Sequence, residues 1–192
     1  MVRREYANFA ALRAAHLEGR DFKRICKLRP KAGVAVIAPH GGRIEAYTSA
    51  IAAEIAARDL SLYSFRSRVP TAKANLHITS HNFDDPKCVG LVKKHRWVVA
   101  VHGCKVKGSR VLLGGLDKSL VRRLAEKLES VGILVQTTGH KFGGTDRMNI
   151  CNRGASGQGV QFELSMRLRK GKQRQEFVRA VREVLLGLQQ EA

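Results

Sequence analysis

Two histidines, each closing an apolar run and each followed by glycine, are where this sequence could do chemistry. The run Gly33-Val34-Ala35-Val36-Ile37-Ala38 leads through Pro39 into His40-Gly41-Gly42-Arg43-Ile44-Glu45, and Trp97-Val98-Val99-Ala100-Val101 leads into His102-Gly103. Imidazole nitrogen and carboxylate oxygen are both ligands for zinc. On one regular helix, a separation of five residues would leave His40 and Glu45 about 140° apart, too far round to share an ion. Gly41 and Gly42 remove that obstacle, because they take backbone angles closed to other residues. The expected geometry is a strand to His40, a sharp turn, and a helix whose first turn carries Glu45 back toward the imidazole. In an open α/β sheet, ligands gather outside the carboxyl ends of the strands, so His40, Glu45 and His102 could converge there. Two imidazoles and a carboxylate leave a fourth position for water, the pattern of hydrolytic zinc.

Around these residues lie Ala38-Pro39-His40-Gly41-Gly42-Arg43-Ile44-Glu45, Leu76-His77-Ile78-Thr79-Ser80-His81-Asn82-Phe83-Asp84, Val99-Ala100-Val101-His102-Gly103, Asn149-Ile150-Cys151-Asn152-Arg153-Gly154 and Gly159-Val160-Gln161-Phe162-Glu163-Leu164-Ser165. In their order and spacing the chain resembles the phage-type poly-γ-glutamate hydrolases, small relatives of the zinc carboxypeptidases. The likeness runs from about residue 33 to the C-terminal helix. It implies a Zn2+ ion bound by His40, Glu45 and His102, with Glu163 in the place of the general base, and cleavage of γ-glutamyl amide bonds. The residues around Glu163 support this placement by themselves. Apolar and polar positions alternate through Val160-Gln161-Phe162-Glu163-Leu164-Ser165, so Gln161, Glu163 and Ser165 share one strand face. A glutamate in a half-buried strand is costly unless it has a partner, and a metal-bound water would give it one. For gripping a substrate carboxylate the candidates are Arg153, then Arg147, with Asn152 alongside, since guanidinium can donate two parallel bonds. His81 is a further candidate for a substrate contact.

The elements that must position these groups alternate along the chain. Helix is expected over 6–18, a basic loop after it, strand over 33–38, and helix over 43–57 with Ile44, Ile51 and Ile55 inward. Strand-like runs follow at 60–65 and 75–79. Asp84-Asp85-Pro86 reads as a helix start running to about 94, because Asp can cap and Pro is tolerated in the first turn. After the strand ending at His102, Leu113-Gly114-Gly115 reads as a turn into a helix over Lys118–Ser130, with strand over 132–136. The glycine-rich stretch 137–158 is a long loop, expected to form a substrate rim. A strand around Glu163 and a helix over 174–188 close the chain. Together these give one three-layer α/β domain over 1–192, with a mixed and partly parallel sheet flanked by helices, carboxypeptidase-like.

The 192 residues carry a formal net charge of +19, which calls for a polyanionic partner. Poly-γ-glutamate, with one carboxylate per unit, satisfies that demand. So would nucleic acid, but the one Trp, three Tyr and seven Phe are scattered and no helix-turn-helix, zinc-finger or RNA-recognition signature appears. Two other readings stay open: a zinc amidase for another acidic peptide, and a non-enzymatic basic domain that binds nucleic acid. No apolar stretch approaches the ~20 residues that cross a bilayer, so no membrane partner is expected. The N-terminus lacks a signal-peptide core, which makes cytoplasmic synthesis the expectation; release by lysis would carry a phage enzyme outside without one. Nothing demands a dimer, and a monomer is expected. Cys26, Cys88, Cys104 and Cys151 form no Cys-x-x-Cys pair and read as buried thiols, although Cys104 could share a face with His102 as a nucleophile pair. His77 reads as structural, and His16, His95 and His140 lie in polar surroundings without a catalytic part.

Overall fold

The computed structural model describes residues 5–71 and 73–190. Seven strands make one sheet: β1 (Phe22–Lys27), β2 (Val34–Gly42), β3 (Ser61–Ser67), β4 (Trp97–Cys104), β5 (Arg110–Gly115), β6 (Leu134–Gln136) and β7 (Val160–Ser165). Their order across the sheet is β1-β3-β2-β4-β7-β5-β6. The central strands β3, β2, β4 and β7 run parallel, while β1 and β5 pair antiparallel to their neighbours β3 and β7. The mixed α/β sheet expected from the sequence is therefore present.

Helices cover both faces. The helices α1 (Phe9–Ala15), α2 (Thr48–Ala56), α3 (Pro86–Val92), α4 (Lys118–Ser130), α5 (Met166–Lys170) and α6 (Gln173–Gln190) complete the three layers. Period-2 alternation divides the core. Val34, Val36 and Ala38 join Ile51, Ile55, Leu124 and Phe177 in one cluster, and Ala35 and Ile37 join Phe9, Phe65, Leu91 and Ile150 in the other. Each fully buried Leu, Ile or Phe contributes roughly 1.5–3 kcal/mol. Asn8, Asp85 and Asp117 cap their helices by accepting from the amides of Ala11, Lys87 and Leu120.

Several elements depart from the sequence expectation. The first helix is shorter than 6–18, ending at Ala15. The basic stretch after it contains β1, whose Lys23, Arg24 and Lys27 charge an outer strand and discourage further pairing. Residues 75–79 join no ladder: Leu76 and Ile78 point into the core, but the segment crosses the end of the sheet as a strap. The Gly114-Gly115 pair ends a strand. A β-carbon on Gly114 would lie 2.4 Å from the Gly143 carbonyl oxygen, so glycine serves close approach of the 137–158 loop. The helix expected over 43–57 begins only at Thr48, after Tyr47 at φ 75°, and Ile44 lies in the preceding turn, packed against the opposite cluster from Ile51.

Candidate metal centre and cleft

His40 reaches the site through an irregularity in its strand. Pairing of β2 with β3 shifts register between Ala38 and Gly41, a bulge that spans Pro39 and His40. Strict alternation from Ala38 would put His40 on that residue's face. The bulge turns it to the face of Ala35 and Ile37, where it lies beside His77, Phe83 and His102. Glu45 returns from the turn itself, its amide donating to the His40 carbonyl at 2.8 Å. Both glycines are required. A β-carbon at Gly41 would fall 1.7 Å from Ser49 Oγ, and Gly42 sits at φ +69° against the Ser67 backbone.

Here three lone-pair donors meet. His40 Nδ1 is 3.0 Å from Glu45 Oε1 and 3.1 Å from His102 Nδ1, and His102 Nδ1 is 3.4 Å from Glu45 Oε2. His40 Nε2 lies 2.7 Å from the Ile78 carbonyl and donates to it, so Nδ1 is the ring nitrogen turned toward Glu45 and His102. Such a cluster requires a proton or a cation at its centre. Two ligands held at zinc distances in a tetrahedron lie about 3.3 Å apart, so the donor set fits that ion. His77 also comes within reach: one ligand atom each from His40, Glu45 and His77 lie within 4.8 Å of one another. The carboxylate of Glu45 further accepts from the Gly103 amide at 2.9 Å.

Electrostatics separates the two carboxylates. Burial works to raise Glu45, but the imidazoles of His40 and His102 outweigh it and hold the carboxyl well below its usual range. Burial of His102 is likewise overcome by Glu45, which raises the imidazole. Glu163, the β-ladder partner of His102, is pushed up to about 7 by burial. Gln161 donates to Glu163 Oε1 at 3.3 Å and itself accepts from Asn149 Nδ2 at 2.9 Å, so a chain of amides holds the carboxyl in place. Burial also pushes the Cys104 thiol up to about 11, which keeps it protonated at neutral pH and removes the basis for a Cys/His nucleophile pair.

The cleft above these groups encloses about 510 Å³ and is lined by His40, Glu45, His102 and Glu163 together with Lys141 and Asp146 of the long loop. His81 stands exposed at its rim. The other sequence candidates lie elsewhere. Arg153 does not line the cleft and donates to the Phe83 carbonyl at 3.2 Å. Arg147 borders a separate cavity of about 450 Å³. Asn152 is buried, its Nδ2 donating to the Gly144 and Asp146 carbonyls at 2.8 Å each, and so staples the loop. Sequence reasoning missed His77, Lys141 and the Asn149–Gln161 support. Only the long-loop signal pointed toward Lys141. His95, expected in polar surroundings, is buried, with the Leu91 carbonyl and Ser61 Oγ as its polar partners.

Fold and cleft define a three-layer α/β domain with a His/Glu cluster at the carboxyl ends of its central parallel strands, and comparison with known proteins narrows the class. The chain belongs to the poly-γ-glutamate hydrolase family, whose model matches residues 6–180. Among curated relatives, the SPbeta prophage-derived protein YoqZ of Bacillus subtilis (strain 168) is 34% identical over 140 residues, and YmaC of the same organism is 32% identical over 167 residues. These alignments cover 71% and 86% of this chain; it spans only 50% of YoqZ and 70% of YmaC. A solved bacteriophage poly-γ-glutamate hydrolase superposes with a TM-score of 0.91 at 29% identity, covering 97% of this chain and 99% of that one. The apo, zinc-free form of YndL gives 0.87 at 28% identity, covering 95% and 98%.

Proposed function

We propose that this protein is a zinc-dependent hydrolase of the γ-glutamyl amide bonds in poly-γ-glutamate, with His40, Glu45 and His102 as metal ligands and Glu163 as general base. The observation that carries this reading is the convergence of three ligand side chains, His40, Glu45 and His102, with contacts of 3.0–3.4 Å, beside a second, buried carboxyl on the adjacent strand. The zinc-free description of YndL and the name of the phage hydrolase support the choice of ion and substrate. Zinc in such a site polarises an amide carbonyl and makes hydroxide available near neutral pH. The chain's own residues do the rest. Glu163 takes up a proton from water and delivers it to the departing amine, a role that suits a carboxyl whose pKa burial has brought to about 7. Gln161 and Asn149 keep it aimed. Lys141 and His81, at the cleft rim, are the side chains nearest to hand for substrate carboxylates. The domain unit is the whole chain described, and its action as a monomer is part of the same proposal.

The test is metal content together with cleavage. About one zinc per chain and conversion of poly-γ-glutamate to short products are expected. Glu163→Gln should keep the metal and lose at least 10²-fold in kcat. An active metal-free protein, or an unimpaired Glu163→Gln variant, would overturn the mechanism. Cleavage of other acidic amides in preference would identify an amidase of different specificity. Tight nucleic-acid binding without cleavage would favour the basic binding domain.

A further inference from the structure

A second cavity adjoins the cleft and shares part of its wall. Glu45 and Gly103 line both. The second cavity encloses about 620 Å³ and is bordered by Arg43, Lys105, Lys107 and Arg169, with Glu45 as the one carboxylate among its lining residues. Arg43, Lys105 and Lys107 are exposed and make no ion pair among the described residues. Arg169 is different. It is 3% exposed, packs so tightly under Gly103 that a β-carbon there would lie 2.5 Å from its guanidinium, and donates from Nε to the Leu164 carbonyl and from Nη1 to the Ala46 carbonyl. Between the charges the walls are apolar, formed by Ile44, Val106 and Met166.

This combination has a chemical meaning. Unpaired cations around an apolar floor fit a flexible chain that alternates methylene groups with carboxylates. A γ-linked glutamate polymer is such a chain: each unit presents two backbone methylenes and one free α-carboxylate. Nucleic acid would instead ask for aromatic stacking surfaces, and this cavity has none. We infer that the cavity flanked by Arg43, Lys105, Lys107 and Arg169 is an extended subsite that takes γ-glutamyl units beyond the bond being cut. The inference rests on the proposed substrate and adds where the polymer lies. It also gives Arg43, inside the His40–Glu45 turn, a role: one motif supplies metal ligands to the cleft and a cation to the neighbouring subsite.

The experiment reads binding and turnover separately. Zinc-loaded protein is titrated with poly-γ-glutamate of defined length and, in parallel, with an oligonucleotide of matched charge. Lys105→Glu/Lys107→Glu is compared with Lys31→Glu/Arg58→Glu, which reverses two exposed charges at the amino-end edge of the sheet. The subsite variant should bind the polymer about tenfold more weakly, with KM rising far more than kcat falls, while the control stays within about twofold. Equal weakening in both variants, no weakening in either, or stronger discrimination against the oligonucleotide than the polymer overturns the subsite. Should the wild type bind polymer without cutting it, loss of binding confined to the subsite variant still upholds the subsite and refutes only the hydrolase reading.

Discussion

The short distances at the candidate metal centre set its three histidines apart, and the proposed ligand set gives them unequal parts. His40 and His102 direct Nδ1 at each other and at Glu45, whereas His77 lies tilted against His40 with ring centroids 4.1 Å apart and its Nδ1 3.2 Å from the Glu5 carboxylate. Burial, and then the charge of His40, depress His77 to about 3, so it stays a neutral ring. His102→Ala should therefore lower zinc affinity by far more than His77→Ala, which is expected to cost about 10-fold through the loosened orientation of His40. Competition against a chelator dye measures both. A larger loss in the His77 variant would make His77 the third ligand. These roles were only partly legible. Strand-end His followed by Gly announces His40 and His102, but a ring that packs from the 75–79 strap carries no local signature, since its partner is 37 residues away in the chain.

At the scale of elements, the turn after β2 does what helix geometry alone would not. The sequence expectation brought Glu45 back in a helical first turn; the chain brings it back in a tight non-helical turn and starts α2 three residues later. Pro39 was the legible cue to the bulge, because proline inside a strand is confined to edges and irregularities. What could not be read was its consequence, the turning of His40 to the other face. Gly41→Ala should lower Tm by several degrees and reduce zinc content, given an expected cost of about 1–3 kcal/mol for overpacking. Adding Ser49→Ala should rescue only part of the loss, since the Phe65 carbonyl would still lie 2.5 Å from the new β-carbon. Full rescue would mean that the backbone is not the obstacle. The connection into β1 also carries a pH signature. Asp21 accepts from Arg20 and from the Leu17 amide, and these partners hold its carboxyl well below the usual range. A depressed folded pKa stabilises above the unfolded value and loses that contribution as pH falls through the folded one. Asp21→Asn should then lower Tm at pH 7, with the difference from wild type shrinking as pH drops below the ordinary carboxylate range. A difference that persists in acid would assign it to geometry. Buried parallel strands and well-capped helices such as α4 were readable from pattern. β1 and β5 were not, because basic and Gly-Gly sequences disguise strands whose identity comes from their neighbours.

Across the whole molecule, the +19 charge leaves the described surface with cations that have no local acidic partner, and at about 0.15 M salt their field reaches only about 8 Å. Charge at that range can guide a polyanion but not hold it, so under the proposed function the grip would come from the two adjoining cavities. The strap at residues 75–79 has a wider consequence. Its Ile78 carbonyl fixes the His40 ring, while its His77 carbonyl accepts from the Tyr6 amide at 3.0 Å, tying the start of the described chain to the same five residues. An ion at His40 and the segment beginning at Tyr6 would thus bear on one backbone segment, and any coupling between them would be reciprocal. Saturating zinc should slow hydrogen exchange at Tyr6, within the limit of about 2.7 kcal/mol available at 100-fold excess over Kd. In return, Asp84→Ala, which removes the carboxylate accepting the Phe9 amide, should weaken metal binding from outside the coordination sphere. If both hold, the segment around Tyr6 and Phe9 behaves as a latch on the proposed metal site, and whatever pulls on it would set how readily an ion leaves.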